Sequence, residues 1–332
     1  MHLGCCINKA HRSGRRRALY SEFILNKDVS DIPEKAKHKF LKAGYRIVGH
    51  HSAVEVCHWT KESLRSGRVC YKEKWYGIKS HRCLEMTPAL IWCTHKCQFC
   101  WRPLEYTVCD EPEADLPEEI IEGCIEARRS LLSGFKGNAK IDVRKWEESI
   151  RPTSAAISLA GEPTLYSRIS ELLEAFKKKG IITFLVTNGT KPDRLRNLKI
   201  EPTNLYVSIC APDKETYLEV NRPLITDGWD RLNESLELMG SFSCRTVVRL
   251  TLVKDLNLKV PEEYAKLILK AEPDFVEPKG FMHIGEAQRR LPRTAMPSHT
   301  EIMEFAQKLS KLISYRFKDH SPESRVALLS KN

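Results

Sequence analysis

The segment PALIWCTHKCQFC, residues 88–100, decides how the rest of the chain is read. It places Cys93, Cys97 and Cys100 at Cys-x3-Cys-x2-Cys spacing behind a short apolar run. A structural zinc ion wants four closed ligands, normally drawn as two pairs. Three cysteines on one tight loop instead suit an iron–sulfur cubane, one thiolate per iron, with the fourth iron open to chelate a substrate. His95 lies inside the loop as a possible fourth ligand, so zinc remains the alternative.

Outside this loop the chain holds nine more of its twelve cysteines. The first twenty residues are basic but lack the apolar core of a secretory signal, so a cytoplasmic protein is expected. In a reducing compartment, so many thiols point to metal ligation or catalysis and away from disulfides. Cys57, Cys70 and Cys83 form a regular series, thirteen residues apart. They cannot meet on one helix, so they need two loops folding back on each other. With 42% hydrophobic and 29% charged residues the chain is globular. No apolar run is long enough for a transmembrane helix. Lys and Arg number 54 against 43 Asp and Glu, and the net charge of +11 suits a polyanion such as nucleic acid.

The remaining patterns alternate. Buried-type strands are expected at 88–92, 155–160, 181–186, 204–209, 246–253 and 274–278, with amphipathic helices at 117–135, 165–179, 229–239, 261–270 and 300–313. Six β-α units with strands apolar on both faces predict an incomplete parallel (β/α)6 barrel. No Gly-x-Gly-x-x-Gly follows a strand to support an open doubly wound sheet. Barrel strands carry function at their C-terminal ends. Those ends hold Cys93-Thr94-His95, Gly161-Glu162-Pro163, Thr187-Asn188-Gly189, Cys210-Ala211-Pro212, Lys254-Asp255 and Glu277-Pro278-Lys279-Gly280.

The cysteine loop, with Phe99 just before its last cysteine, resembles the signature of the radical S-adenosylmethionine (SAM) enzymes. The resemblance implies one [4Fe-4S] cluster on Cys93, Cys97 and Cys100 that binds S-adenosylmethionine and cleaves it to a 5′-deoxyadenosyl radical. It also implies cofactor contacts from Gly161 and Glu162, although Ala160 stands where a glycine is usual. Asn188, Ser208 and Arg249 are further candidates, Arg249 facing either the interior or a helix. Cys210 is either a core thiol or a neighbour of the cofactor.

With the thirteen-thirteen series, the segments YGIKSHRC (76–83), SLAGEPTLY (158–166), TNGT (187–190), NLYVSICAPDKETY (204–217), RTVVRLTLVK (245–254) and EPKGFMHIGEAQRRL (277–291) resemble the archaeal tRNA 4-demethylwyosine synthases, a lyase family. That resemblance implies condensation of N1-methylguanosine, 3′ of the anticodon in phenylalanine tRNA, with pyruvate. It further implies a second [4Fe-4S] cluster on Cys57, Cys70 and Cys83, in an N-terminal extension covering the barrel mouth. Lys72 would form an imine with pyruvate, with Lys74 the alternative and Lys74 and Lys79 helping to lower its pKa. The adenosyl radical would take hydrogen from the N-methyl group, the methylene radical would attack pyruvate C2, and loss of the carboxyl fragment and ring closure would release the amine.

The division expected is a basic arm at 1–30, the extension at 31–86 and the barrel at 87–332. For the tRNA, charge is expected from 11–17, 35–46, 68–82 and 286–293, including Arg289 and Arg290, with Trp75, Tyr76 and Trp101 as stacking faces. The family also implies a monomer with an external electron donor. The competing readings are a radical SAM enzyme for another RNA, peptide or metabolite, and a zinc-stabilised RNA-binding protein.

Overall fold

The structure is a computed structural model and describes residues 31–331; the basic arm, with its charges at 11–17, lies outside the described residues. Ten strands form one sheet: β1 (Arg46–Val48), β2 (Ser52–Glu55), β3 (Cys83–Thr87), β4 (Ser154–Ile157), β5 (Ile182–Thr187), β6 (Asn204–Ile209), β7 (Arg245–Leu252), β8 (Phe275–Gly280), β9 (Arg316–Ser321) and β10 (Val326–Ser330). Their order is β1-β2-β3-β4-β5-β6-β7-β8-β10-β9. Strands β3 to β8 run parallel in sequence order, the expected six-stranded partial barrel. Antiparallel pairs flank both edges, β1-β2 against β3 and β10-β9 against β8.

The main helices lie on the outer face: α1 (Pro117–Ser133), α2 (Ile169–Lys178), α3 (Gly228–Leu238), α4 (Pro261–Ala271) and α5 (His299–Ile313). Pro opens α1 and α4 at the position where its missing N–H costs nothing. A capping box of Ser298 and Glu301 opens α5. Apolar stripes of these helices pack on strand residues such as Ile157, Leu185, Val207, Val248 and Val276, giving two large buried clusters outside the barrel wall.

Four expectations change. The first parallel strand is Cys83–Thr87 and not 88–92. The run 88–92 is apolar because Ala89, Leu90, Ile91 and Trp92 pack beside Phe40 and Ala53, while its backbone bonds to loops. The division expected between residues 86 and 87 therefore falls inside β3. Strand β4 stops at Ile157, so 158–160 already belongs to the loop above it. Strand β8 runs on to Gly280, which moves Glu277 from the strand end to its middle.

The extension differs in placement. It contributes two short helices, α6 (His58–Arg65) and α7 (Tyr71–Tyr76). Tyr76 and Ile78 pack among Phe184, Tyr206 and Val247, which sit in the first halves of β5, β6 and β7. Cys83 heads β3 and pairs in register with Ser154, the first residue of β4. The extension thus fills the barrel interior from the N-terminal ends of the strands. Trp75 fastens it to the C-terminal hairpin by donating to Asp319 Oδ2 at 2.8 Å.

Candidate active site

At the C-terminal ends of the strands lies a cavity of about 260 Å³. Cys93, Cys97 and Cys100 line it, together with Phe99, Trp101 and the predicted cofactor residues Gly161, Glu162, Asn188, Ser208 and Arg249. Cys210 is both buried and on this wall.

Local chemistry explains how the cysteine loop is held. Gly161 has φ +67°, and a Cβ there would run into the carbonyl oxygens of Ala89 and Trp92. Glycine lets the two loops touch. The neighbouring Glu162 N donates to Trp92 O at 2.8 Å. Its buried carboxylate accepts from Thr164 Oγ1 and Thr187 Oγ1 (2.7 Å each) and from Asn188 N (2.6 Å), tying the ends of β4 and β5 together. Asn188 Nδ2 donates to Thr94 Oγ1 at 2.9 Å and lies 3.9 Å from Cys93 Sγ. Asn221 Nδ2 reaches Cys97 Sγ at 3.7 Å.

Does this donor set fit zinc or a cubane? Among the described residues, no three Cys, His, Asp or Glu side chains converge as one ion would require. His95 is withdrawn from that role: its Nε2 meets Tyr217 Oη at 2.6 Å, and burial pushes its pKa down to about 3. A cubane takes one thiolate per iron at separate corners, a looser demand; the three thiols share one cavity wall, and Cys97 senses the charge of Cys100 and Cys93.

The second series is linked through Ser80, without forming a single-ion site among the described residues. Cys57 caps α6 and its Sγ accepts from Thr60 N at 3.3 Å; Cys70 caps α7. Ser80 joins the two, with its Oγ accepting from Cys70 N (2.9 Å) and its carbonyl from Thr60 Oγ1 (2.9 Å). Cys57 and Cys70 each sense the charge of Cys83. Burial raises all three thiols, Cys70 to about 11, as it raises Cys93 to about 11. Such thiols stay protonated until a metal displaces the proton.

Each cysteine set has a buried arginine that the sequence reading missed. Arg102, 3% exposed, stands beside Cys93 and Cys100. Burial works against its charge, yet Cys100 and Cys93 hold the guanidinium above its ordinary value. Arg128 on α1 is 1% exposed and donates to the carbonyls of Ser149 and His81, with its Nε unpartnered. Burial lowers it to about 10, against the pull of Cys83 and Cys57. Neither arginine is among the ion pairs of the described residues. An isolated buried cation costs several kcal/mol, so a net negative group at each cysteine set fits both. Arg128 was legible, because it interrupts the apolar stripe Ile121, Cys124, Leu132 of α1.

Lys72 lies on α7, 8% exposed, with Nζ 4.6 Å above the Phe184 ring and 5.2 Å above that of Tyr206. Burial first, and the Arg249 charge second, hold its amine below the ordinary lysine value against Cys70, Cys83 and Glu277. Arg249 supplies the repulsion expected from Lys74 and Lys79, which are exposed. Arg249 faces inward: Nε and Nη2 donate to Glu277 Oε2 at 3.2 Å, and Nη2 to Tyr71 Oη at 3.1 Å. A second lysine, the half-buried Lys279, lines the cavity and donates to Ser324 O at 2.9 Å.

Of the expected stacking faces, Trp101 is 40% exposed at the cavity, whereas Tyr76 is committed to the interior. Arg290 bonds the cysteine loop through Gln98 O and Cys100 O. No helix among the described residues is long and apolar enough to cross a membrane.

Residues 89–268 match the radical SAM superfamily model, and residues 270–331 match the model for wyosine base formation. The S-adenosyl-L-methionine-dependent tRNA 4-demethylwyosine synthase of Pyrococcus abyssi is 54% identical over 308 residues, 91% of this chain and 90% of that protein. The protein of the same name from Methanocaldococcus jannaschii is 36% identical over 90% of this chain and 96% of its own. Among solved structures, TYW1 with a lysine-pyruvate adduct bound aligns with a TM-score of 0.83 at 36% identity, covering 90% of this chain and 96% of that one. An archaeal TYW1 crystal structure aligns at 0.76 and 32% identity, with the same coverage. By fold, cysteine loop and sequence alike, the chain belongs to the tRNA 4-demethylwyosine synthases of the radical SAM superfamily.

Proposed function

We propose that this chain condenses N1-methylguanosine of phenylalanine tRNA with pyruvate to form the tricyclic 4-demethylwyosine base, as a carbon–carbon lyase. It would act as a cytoplasmic monomer supplied with electrons from outside. The observation that carries the reading is Lys72: a buried amine, aimed into the barrel interior, beside the 57–70–83 thiols and Arg249. An amine held below its ordinary value is the form that attacks a ketone.

A chain of this family takes S-adenosylmethionine and a [4Fe-4S] cluster, which supply a 5′-deoxyadenosyl radical when bound. In this reading Cys93, Cys97 and Cys100 hold that cluster, and Cys57, Cys70 and Cys83 hold a second one, with Arg102 and Arg128 as their buried counter-charges. Gly161 and Glu162 present backbone to S-adenosylmethionine, while Asn188, Ser208 and Arg249 line its cavity. Asn188 serves mainly to fix Thr94, and hence the loop. Lys72 binds pyruvate as an imine and orients its C2 carbon toward the cavity. Phe184 and Tyr206 exclude water from the imine. Trp101 offers a face to the flipped base.

The test is reductive trapping. Borohydride with pyruvate should leave a lactyl-sized mass on the peptide carrying Lys72 and none in Lys72→Ala. That variant should still make 5′-deoxyadenosine but no tricyclic nucleoside from methylated tRNA. A trapped mass on Lys279 or Lys74 would overturn the assignment.

A further inference from the structure

The loop bearing Cys93, Cys97 and Cys100 has two faces. It runs beside residues 220–224: Leu224 N donates to Thr94 O (2.8 Å), Lys96 N to Asn221 O and Arg222 O (3.1 Å each), and Gln98 N to Val220 O (2.9 Å). The side chains of the two segments divide between two hollows. Cys97 and Asn221 face the cavity. Lys96 and Arg222 face a separate surface groove of about 530 Å³. The cysteine loop thus contributes to both linings, with Lys96 on the groove and its neighbours His95 and Cys97 on the cavity.

The groove has a definite chemistry. Leu218 and Leu224, 51% and 41% exposed, lie in it, bordered by Lys96, Arg222 and Arg290. Its one carboxylate, Glu105, is already paired with Lys39. Arg290 grips the far end of the same loop through Gln98 O at 3.0 Å. An apolar floor within a cationic rim is the make-up of a weak, fast, electrostatically steered encounter between proteins. A polynucleotide would call for aromatic faces and a longer charged track.

We propose that this groove receives a small acidic one-electron carrier protein, of the flavin or iron–sulfur class, which reduces the cluster at Cys93, Cys97 and Cys100 through the loop backbone. One electron leaves the carrier and one enters the cluster. That electron is consumed when the sulfonium of S-adenosylmethionine breaks into methionine and the 5′-deoxyadenosyl radical, so each cleavage oxidises one carrier. The cavity stays open to tRNA while the carrier sits on the other side of the loop. The proposal rests on the radical SAM chemistry alone and is independent of Lys72 and pyruvate.

A bacterial flavodoxin serves as the acidic probe, its flavin fluorescence reporting binding to the reconstituted enzyme. Wild-type affinity should fall as salt rises. Lys96→Glu with Arg222→Glu should weaken binding at least tenfold at low salt. Dithionite-driven 5′-deoxyadenosine formation and tRNA affinity should stay within twofold. Leu218→Ser with Leu224→Ser, which leaves the charges intact and the loop untouched, should weaken flavodoxin binding severalfold. Should the charge reversals abolish even dithionite-driven cleavage, the serine pair decides alone. Unchanged flavodoxin affinity in the serine pair, or a parallel fall in tRNA affinity, would overturn the proposal, the latter by giving the groove to the RNA.

Discussion

Tyr76 donates a 2.7 Å hydrogen bond to Glu277, joining the extension's helix to the middle of β8. Glu277 is fully buried and also accepts from Tyr206 at 2.8 Å and from Tyr71 and Arg249 at 3.2 Å. One carboxylate therefore seats α7, with Lys72 on it, against three barrel strands. Glu277→Gln leaves the Arg249 charge without its partner, and breaking a buried pair in this way costs on the order of 3 kcal/mol. Tyr76→Phe should cost about 1 kcal/mol. Urea denaturation ranks the two, and pyruvate trapping on Lys72 should fall further in Glu277→Gln.

Gly161 and Gly180 share nearly the same backbone, φ +67° and +66°. Nothing lies within 4 Å of a Cβ at Gly180, so alanine there should cost about 1 kcal/mol from left-handed strain alone. At Gly161 the new methyl collides with two carbonyl oxygens of the cysteine-loop approach. Gly161→Ala should lose S-adenosylmethionine binding and destabilise the fold well beyond the Gly180→Ala value, as melting curves would show.

Arg128 gives a prediction whose sign depends on loading. In the iron-free protein, Arg128→Met removes a buried unpaired cation and should leave stability unchanged or higher. In the reconstituted protein the same change removes the counter-charge behind Cys57 and Cys83. Iron content should then drop by about half, with the cluster of the 93–100 loop retained. Iron analysis beside melting of both forms checks the reversal.

His51 supplies a pH dependence. It is fully buried, its Nε2 accepts from Asp115 N at 3.0 Å and its Nδ1 meets Pro88 O at 2.6 Å, so the neutral ring is the one that fits. Burial lowers its pKa to about 4. The unfolded state therefore takes up the proton first. Its contribution is complete above pH 6.5 and is lost as pH falls toward 4, amounting to about 3 kcal/mol. His51→Gln should flatten that loss. Comparing the two proteins at each pH isolates His51 from Glu55, which burial raises to about 7 and which acts with the opposite sign.

The parallel strands and outer helices were legible because their apolar periods match their packing. Strand β3 was not, since CLEMT carries Cys83 and Glu85 on its inward face, and polar inward residues do not look like a strand. The stretch 88–92 looked like one only because it is buried for another reason. The hairpin β9-β10 escaped notice because the reading followed β-α alternation, which an antiparallel edge breaks. In the site, spacing singled out the cysteines and the interrupted stripe of α1 marked Arg128, but the Glu277 cluster depends on contacts between residues as far apart as Tyr71 and Glu277. No local pattern encodes such a contact.

With Tyr76 and Ile78 packed beneath, the barrel keeps its cavity at the opposite ends of the strands. On the proposed function, a small acid approaching Lys72 from that side would share its route with a far larger nucleic acid. On that reading the expected order of arrival is the small guest before the bulky one.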